Sequence, residues 1–297
     1  MAALYKTAGK HVLRCIRCRL PLWTSVSRGV TSLEYEKDQH NGVTVNLAQL
    51  PASTTEQQFH TQLKVCLQSW KAEERSAVWL QVPLTHSRLI AAAVDHGFTF
   101  HHAEGDKAML KLWLNSSQSD RTPRFATHQI GASGFVVRQD LQQVLVIKDK
   151  NSKFNLWKFP GGLSDLGEDI GATAVREVFE ETGVKTEFQS ILAFRQQHQQ
   201  PGAFGRSDIY VVCRLRPLTF ELSPCSAEVK ACQWMPLEQL RNEMARSPIT
   251  KRLVDIVRFG LEEGFDNVDI LSEQMASVYK GLTYKLYHRT LPNKWKV

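Results

Sequence analysis

The stretch from residue 157 to residue 184, WKFPGGLSDLGEDIGATAVREVFEETGV, constrains this chain more than any other. After Gly161-Gly162 the chain is expected to turn, because glycine tolerates the close and left-handed backbone that a loop needs. Asp165, Glu168 and Asp169 then put negative charge where a helix begins, which suits the positive end of its dipole. Ala172, Ala174, Val175, Val178 and Phe179 fit a helix that buries one side, and Gly183 is placed to stop it. The acidic face is the informative part. Glu177, Glu180 and Glu181 are spaced i, i+3, i+4, so at about 100° per residue they share a face. Like charges at that spacing repel and weaken a helix. The arrangement makes sense when a positive group sits among the carboxylates. Oxygen donors suit a hard cation, Mg²⁺ or Mn²⁺, and Mg²⁺ takes few protein carboxylates together with the phosphates of a substrate. Arg176 is placed to pair with a neighbouring carboxylate and fix its rotamer.

Read as one pattern, the stretch is GX5EX7REUXEEXGU with U apolar. Gly162, Glu168, Arg176, Glu177, Glu180, Glu181 and Gly183 fill the fixed positions, and Val178 and Val184 fill the apolar ones. Such a match arises by chance in a chain this long on the order of once in a million at average composition, which sets aside an ordinary solvated acidic face. The chain resembles the Nudix hydrolases. That resemblance implies hydrolysis of the pyrophosphate linkage in a nucleoside diphosphate joined to another group X. It implies a metal, Mg²⁺ or Mn²⁺, held by Glu177, Glu180 and Glu181, with Gly162 giving a backbone carbonyl. Glu168, Arg176, Glu177, Glu180 and Glu181 form the implied catalytic set, with Glu168 as a supporting carboxylate. The general base is a box glutamate or a loop acid such as Glu228. The pockets for the base and for X lie outside the box, notably in residues 196–206, so ADP-ribose, NAD(H), coenzyme A and capped RNA all stay open as substrates. Two competing readings are a non-catalytic nucleotide-sensing or protein-interaction module and an RNA-cap hydrolase. The first is disfavoured because a domain released from chemistry tends to lose ligands, and here the box is complete. The second calls for a basic channel.

Charge bears on that last reading. The net charge is +7 over 297 residues, yet Lys6, Lys10, Arg14, Arg17, Arg19 and Arg28 fall before any acid. The rest of the chain is close to neutral, which gives an RNA partner little support. Lys6, Lys10, Arg14 and Arg17 stripe one side of a helix, opposite Tyr5, Ala8, Val12 and Ile16. With Ser25 and Ser27 downstream, residues 1–32 have the composition of a mitochondrial targeting segment, and a form lacking them is expected in the cytoplasm or nucleus. Cys15 and Cys18 form a CxxC with no second pair to complete a zinc site. No secretory leader is visible, so reduced thiols are expected, and no apolar run reaches the ~20 residues that span a bilayer.

The order of elements predicts two α/β domains joined by a linker. Residues 40–115 read as a small pre-Nudix domain: a strand at 43–47, a helix capped by Thr54 or Thr55 with Phe59, Leu63, Cys66, Leu67 and Trp70 on one face, a strand at 77–82, a helix from Ser87, and a strand pair. This segment resembles the acetyltransferase-like domain that precedes the box in part of the family, but it lacks that fold's phosphate loop, so no acetyl transfer is inferred. Its aromatic content makes it the candidate for homodimer contacts. His101-His102 and the Trp70, Trp79 and Trp113 set read as structural. Residues 116–127 are the polar linker. Residues 128–265 are the Nudix domain, expected as an α/β/α sandwich on a mixed sheet, and residues 266–297 form a basic aromatic tail, either docked or open to an acidic partner.

Overall fold

The computed structural model describes residues 32–152, 155–243 and 247–291. The targeting segment and its CxxC lie outside the described residues. The chain divides into two compact units, one ending at Phe125 and the other beginning at Ala126. Among the described residues no helix is long and apolar enough to cross a membrane, and Cys66, Cys213, Cys225 and Cys232 are free.

The first unit carries strands β1 (Glu36–Lys37), β2 (Val43–Asn46), β3 (Ala77–Pro83), β4 (Thr99–Glu104) and β5 (Lys107–Trp113), with helices α1 (Glu56–Ala72) and α2 (Leu89–Val94). The sheet order is β1-β2-β3-β5-β4. β2 and β3 are parallel, so the chain must cross over between them, and α1 is that crossover. Phe59, Leu63, Cys66, Leu67 and Trp70 are all buried along its inner face, as the helical spacing predicts. Of the two threonines before it, Thr55 is the cap. The Gln58 N–H donates to Thr55 Oγ1 at 3.2 Å, and the Thr55 N–H donates to Gln58 Oε1 at 2.8 Å. This reciprocal pair satisfies two helix-end donors. Thr55→Ala is therefore expected to lower the unfolding free energy by about 1 kcal/mol, read as a shift of the denaturant midpoint at constant slope. An unchanged midpoint would remove the capping assignment.

The polar segment after β5 is folded back onto this unit. Trp113 Nε1 donates to the carbonyls of Asn115 and Gln118, both at 2.9 Å. Lys111 Nζ meets Asp120 at 2.5 Å and holds its carboxyl down to about 2. His101 Nε2 bonds the Pro123 carbonyl at 2.8 Å, and the His102 ring stacks on Phe125 at 3.9 Å. His101 and His102 are thus spent on holding chain, in keeping with a structural role.

The second unit is built on β6 (His128–Arg138), β7 (Gln143–Asp149), β8 (Gly161–Leu163), β9 (Thr186–Gln197), β10 (Ser207–Pro217) and β11 (Val229–Pro236), with helices α3 (Ile170–Thr182), α4 (Leu237–Glu243) and α5 (Pro248–Glu263). The sheet order is β11-β7-β6-β10-β9 with β8 on β6. β6 and β10 are parallel and the other pairings antiparallel, so the sheet is mixed. Alternation along β6 separates two cores. Ala132 and Val136 join Ala174 and Val178 of α3. Phe135 and Val137 join Leu240 of α4 and Leu253 and Val257 of α5. The result is an α/β/α arrangement with α3 on one face and α4 and α5 on the other.

One expectation changes here, for Ala172 is exposed as well as Phe179. Phe179 is 49% exposed. The buried face of α3 is Ala174, Val178 and Thr182 together with Glu181, and Phe179 lies about 100° round from Val178, at the edge of that face. The segment after α5 is also structured. β12 (Leu271–Ala276) and β13 (Thr283–His288) pair as a hairpin. Asp269 anchors it, accepting from Ser190 Oγ at 2.6 Å and from the Arg214 guanidinium. Lys285 reaches Asp169, the residue that precedes α3, at 2.7 Å. The described part of the basic tail is therefore docked.

Candidate active site

Gly161 and Gly162 lie in strand β8, paired with Ser133 and Ala132 of β6. Neither has a left-handed φ, so close approach rather than a turn explains the glycines. A Cβ on Gly161 would stand 2.4 Å from the Ala132 carbonyl oxygen and 2.5 Å from Ser133 Cα. A Cβ on Gly162 would stand 2.5 Å from Glu177 Oε1. The strand thus lies directly against the acidic face of α3. The Gly161 N–H donates to Glu181 Oε2 at 2.7 Å. At the far end of the helix, Gly183 takes φ +75° and its N–H closes onto the Phe179 carbonyl, as a left-handed cap does.

Arg176 organises the front of the helix. Its Nε and Nη2 grip Glu168 at 2.8 and 2.9 Å. Its Nη1 donates to Glu177 Oε1 at 2.8 Å and to Glu180 Oε2 at 3.1 Å, and Nη2 also reaches the Leu163 carbonyl. Glu168 accepts in addition from Thr173 Oγ1 at 2.8 Å and from the Asp165 N–H at 3.1 Å. The guanidinium, more than any other contact, holds the Glu168 carboxyl at about 2. A carboxylate so fully engaged supports the loop before α3 and is not free to take up a proton. Asp169 makes no side-chain cap; its carboxylate is turned to Lys285.

The three helix carboxylates sit at different depths. Glu180 is 55% exposed on its side chain, Glu177 15%, and Glu181 6%. Burial raises the Glu177 carboxyl, with Glu180 and Glu228 adding to the rise and Arg176 opposing it. Burial pushes Glu181 up to about 7 against the pull of Lys158 and the Gly161 N–H. Lys158 is held across β7 by paired backbone bonds to Ile147 at 2.9 Å. Its Nζ lies 2.7 Å from Asp149 and 3.7 Å from Glu181. Burial works against its charge, but Glu181 and Asp149 outweigh that and raise its pKa.

The structure therefore brings all the sequence-predicted residues together: Gly162, Glu168, Arg176, Glu177, Glu180 and Glu181. It adds Lys158 and Asp149. Nothing in the spacing pointed to these two, since sheet register, not helix periodicity, delivers them. Glu228 stands in the loop before β11, its carbonyl bonded to the Lys150 N–H at 2.8 Å. Five carboxylates, Asp149, Glu168, Glu177, Glu180 and Glu181, face two cations, Lys158 and Arg176. The carboxyl groups outnumber the cations, and two of them, Glu177 and Glu181, are largely buried. Among the described residues no three His, Cys, Asp or Glu side chains are already convergent on a metal position; Arg176 Nη1 is bonded to both Glu177 and Glu180. The donor set itself, hard oxygens with too little compensating charge, fits a divalent cation of the Mg²⁺ or Mn²⁺ kind.

A family model described as a NUDIX domain matches residues 127–254, and one described as a Nudix hydrolase domain matches residues 33–114. The chain is 47% identical over 270 residues to the Homo sapiens protein called nucleoside diphosphate-linked moiety X motif 6, covering 90% of this chain and 85% of that one. The Xenopus laevis protein of the same description is 50% identical over 210 residues, 71% of this chain and 96% of its own length. Nudix hydrolase 8 of Arabidopsis thaliana is 34% identical over 275 residues, with 91% and 73% covered.

Proposed function

The chain belongs to the Nudix hydrolase family and is a Nudix pyrophosphohydrolase, and from that premise we propose metal-dependent hydrolysis of a nucleoside diphosphate joined to X, with ADP-ribose, NAD(H) and coenzyme A as the first substrates to try. The uncompensated carboxylate charge on α3 carries this reading. Glu177, Glu180 and Glu181 would hold Mg²⁺ or Mn²⁺, with the Gly162 carbonyl as a further oxygen donor. Bound there, the metal would neutralise the phosphate oxygens and lower the pKa of a coordinated water.

The chain's own residues supply the rest. Arg176 fixes Glu168, and through it the loop that carries β8 into the helix. It also keeps Glu177 and Glu180 parted by a hydrogen-bonded cation. The Gly161 N–H fixes one Glu181 oxygen and leaves the other toward Lys158. A carboxylate with a raised pKa is suited to taking a proton near neutral pH, so Glu181 is one base candidate; Glu228, a loop acid close enough to Glu177 to raise its carboxyl, is the other. A panel of nucleotide-linked pyrophosphates assayed with and without Mg²⁺ tests the proposal. Cleavage of at least one that stops on chelation supports it. Saturable nucleotide binding with no cleavage at any metal concentration would favour a sensing module instead.

Localisation follows from residues 1–32 in the same proposal. Their acid-free basic stripe is expected to direct a reporter fused to residues 1–35 into mitochondria. Imaging that shows the fusion diffuse through the cell removes that assignment.

A further inference from the structure

A cavity opens at the far end of β6, about 260 Å³ in volume, between the β6–β7 turn, the start of β9 and the end of β10. Ser133 marks the platform end of β6, where it pairs with Gly161. Arg138 is five residues further on, which at ~3.3 Å per residue is about 17 Å away. Three arginines line this cavity, Arg138, Arg214 and Arg216, and Asp140 is its one lining acid. Two of the three are committed. Arg214 is bonded through Nε to the buried Asp269 at 3.0 Å, and Arg216 through Nε to Glu187 at 3.0 Å.

Arg138 is different. Its Nε is buried and hydrogen-bonds to nothing among the described residues. The Asp140 carboxylate stands off at 3.8 Å, beyond hydrogen-bonding distance. What holds the guanidinium is aromatic: its Cζ lies 4.5 Å from the centre of the Phe220 ring and 5.7 Å from that of Trp234. Packing over a ring face fixes the plane of a guanidinium and leaves its edge donors free. The Nη edge, whose carboxylate neighbour stands 3.8 Å away, is the part that turns to a ligand, and a planar fork with free edges matches an oxyanion bidentately. The volume is below that of ordinary drug-sized pockets, so the ligand is small. Arg214 and Arg216 keep their own carboxylates, so the charge open to a ligand is that of Arg138, held only loosely by Asp140 at 3.8 Å.

We propose that this cavity is a second anion site, for inorganic phosphate or the phosphate end of a small monoester, with Arg138 as its bidentate donor. The reading is independent of the chemistry at α3.

Isothermal titration of the full chain, free of metal so that the acidic platform repels phosphate, tests it. One arm uses inorganic phosphate and the other glycerol phosphate; the tighter of the two identifies the source the cavity suits. The wild type is expected to bind with one saturable site per chain. Arg138→Met keeps the stem over Phe220 and removes the donors, and should weaken binding at least tenfold, the loss expected for charge-assisted hydrogen bonds. Arg138→Lys keeps the charge without the fork and should fall between, and it decides the matter if the methionine variant does not fold. Glu181→Gln should bind phosphate as the wild type does. No saturable binding in either arm, or wild-type affinity in the folded Arg138 variants, overturns the proposal, as does loss of the site in Glu181→Gln.

Discussion

Glu181→Gln is expected to cut turnover by about 10²–10³, the usual effect of removing one preorganised electrostatic element from an active site, while leaving the fold intact. The two halves of that expectation have separate causes. The substitution keeps the shape and an oxygen for the Gly161 N–H, which now bonds Glu181 at 2.7 Å. Lys158 keeps Asp149 at 2.7 Å as its partner. Burial raises the Glu181 carboxyl to about 7, so the ionised form is unfavourable in the metal-free protein, and a neutral amide relieves that strain and the repulsion along α3. The metal-free variant should melt at or slightly above the wild-type temperature. Mg²⁺ should stabilise it less than it stabilises the wild type, because a ligand raises stability only as far as it binds the folded state. Glu243→Gln, at the end of α4, is the control and should change neither quantity. Full turnover with an unchanged Mg²⁺ response in Glu181→Gln would mean that the α3 carboxylates are not the metal platform.

Gly161→Ala should damage both stability and turnover, by geometry and not by charge. The added Cβ would meet the Ala132 carbonyl oxygen at 2.4 Å and Ser133 Cα at 2.5 Å. These are backbone atoms in the middle of the sheet, flanked by β10 on the other side of β6, and they have nowhere to go. Overpacking of this kind typically costs about 1–3 kcal/mol, and the upper end is expected where backbone is what must move. The relief available is for β8 to lift from β6, which carries the Gly161 N–H away from Glu181. Turnover should therefore fall together with the melting temperature, and added Mg²⁺ should not restore either to the wild-type value. A Gly161→Ala protein that melts and turns over like the wild type would show that β8 is not held as closely as its glycines imply.

The box helix was legible because its signals are local. Gly183 caps it, the i, i+3, i+4 carboxylates share its face, and Arg176 pairs within a turn or two. Helix α1 was legible for the same reason, with an apolar stripe that runs from Phe59 to Trp70. What escaped was set by pairings distant in sequence. Lys158 and Asp149 come together through a bridge to β7, and no periodicity encodes a register between strands. Gly161-Gly162 read as a turn because glycine permits turns; only the neighbouring strand shows that the missing side chains make room for Ser133 and Glu177. Composition leaves the basic aromatic segment after residue 265 either docked or open, because only Asp169 and the core beneath α3 give Lys285 and Tyr287 their partners. Polarity marks residues 116–127 as a linker, and the boundary between the two units falls within it; composition gives no sign of the bonds from the Trp113 indole and Lys111 that tie its first part down.

The central claim is that α3 presents a metal platform left short of positive charge, and direct titration of Mn²⁺ into the nucleotide-free full chain tests it most simply. Calorimetry on the wild type and on Glu181→Gln, with both proteins shown to be folded, should give saturable binding to the wild type and binding at least tenfold weaker to the variant, in step with the loss of a charge-matched ligand. Equal affinity in the two proteins, or no saturable binding to the wild type, would contradict the account.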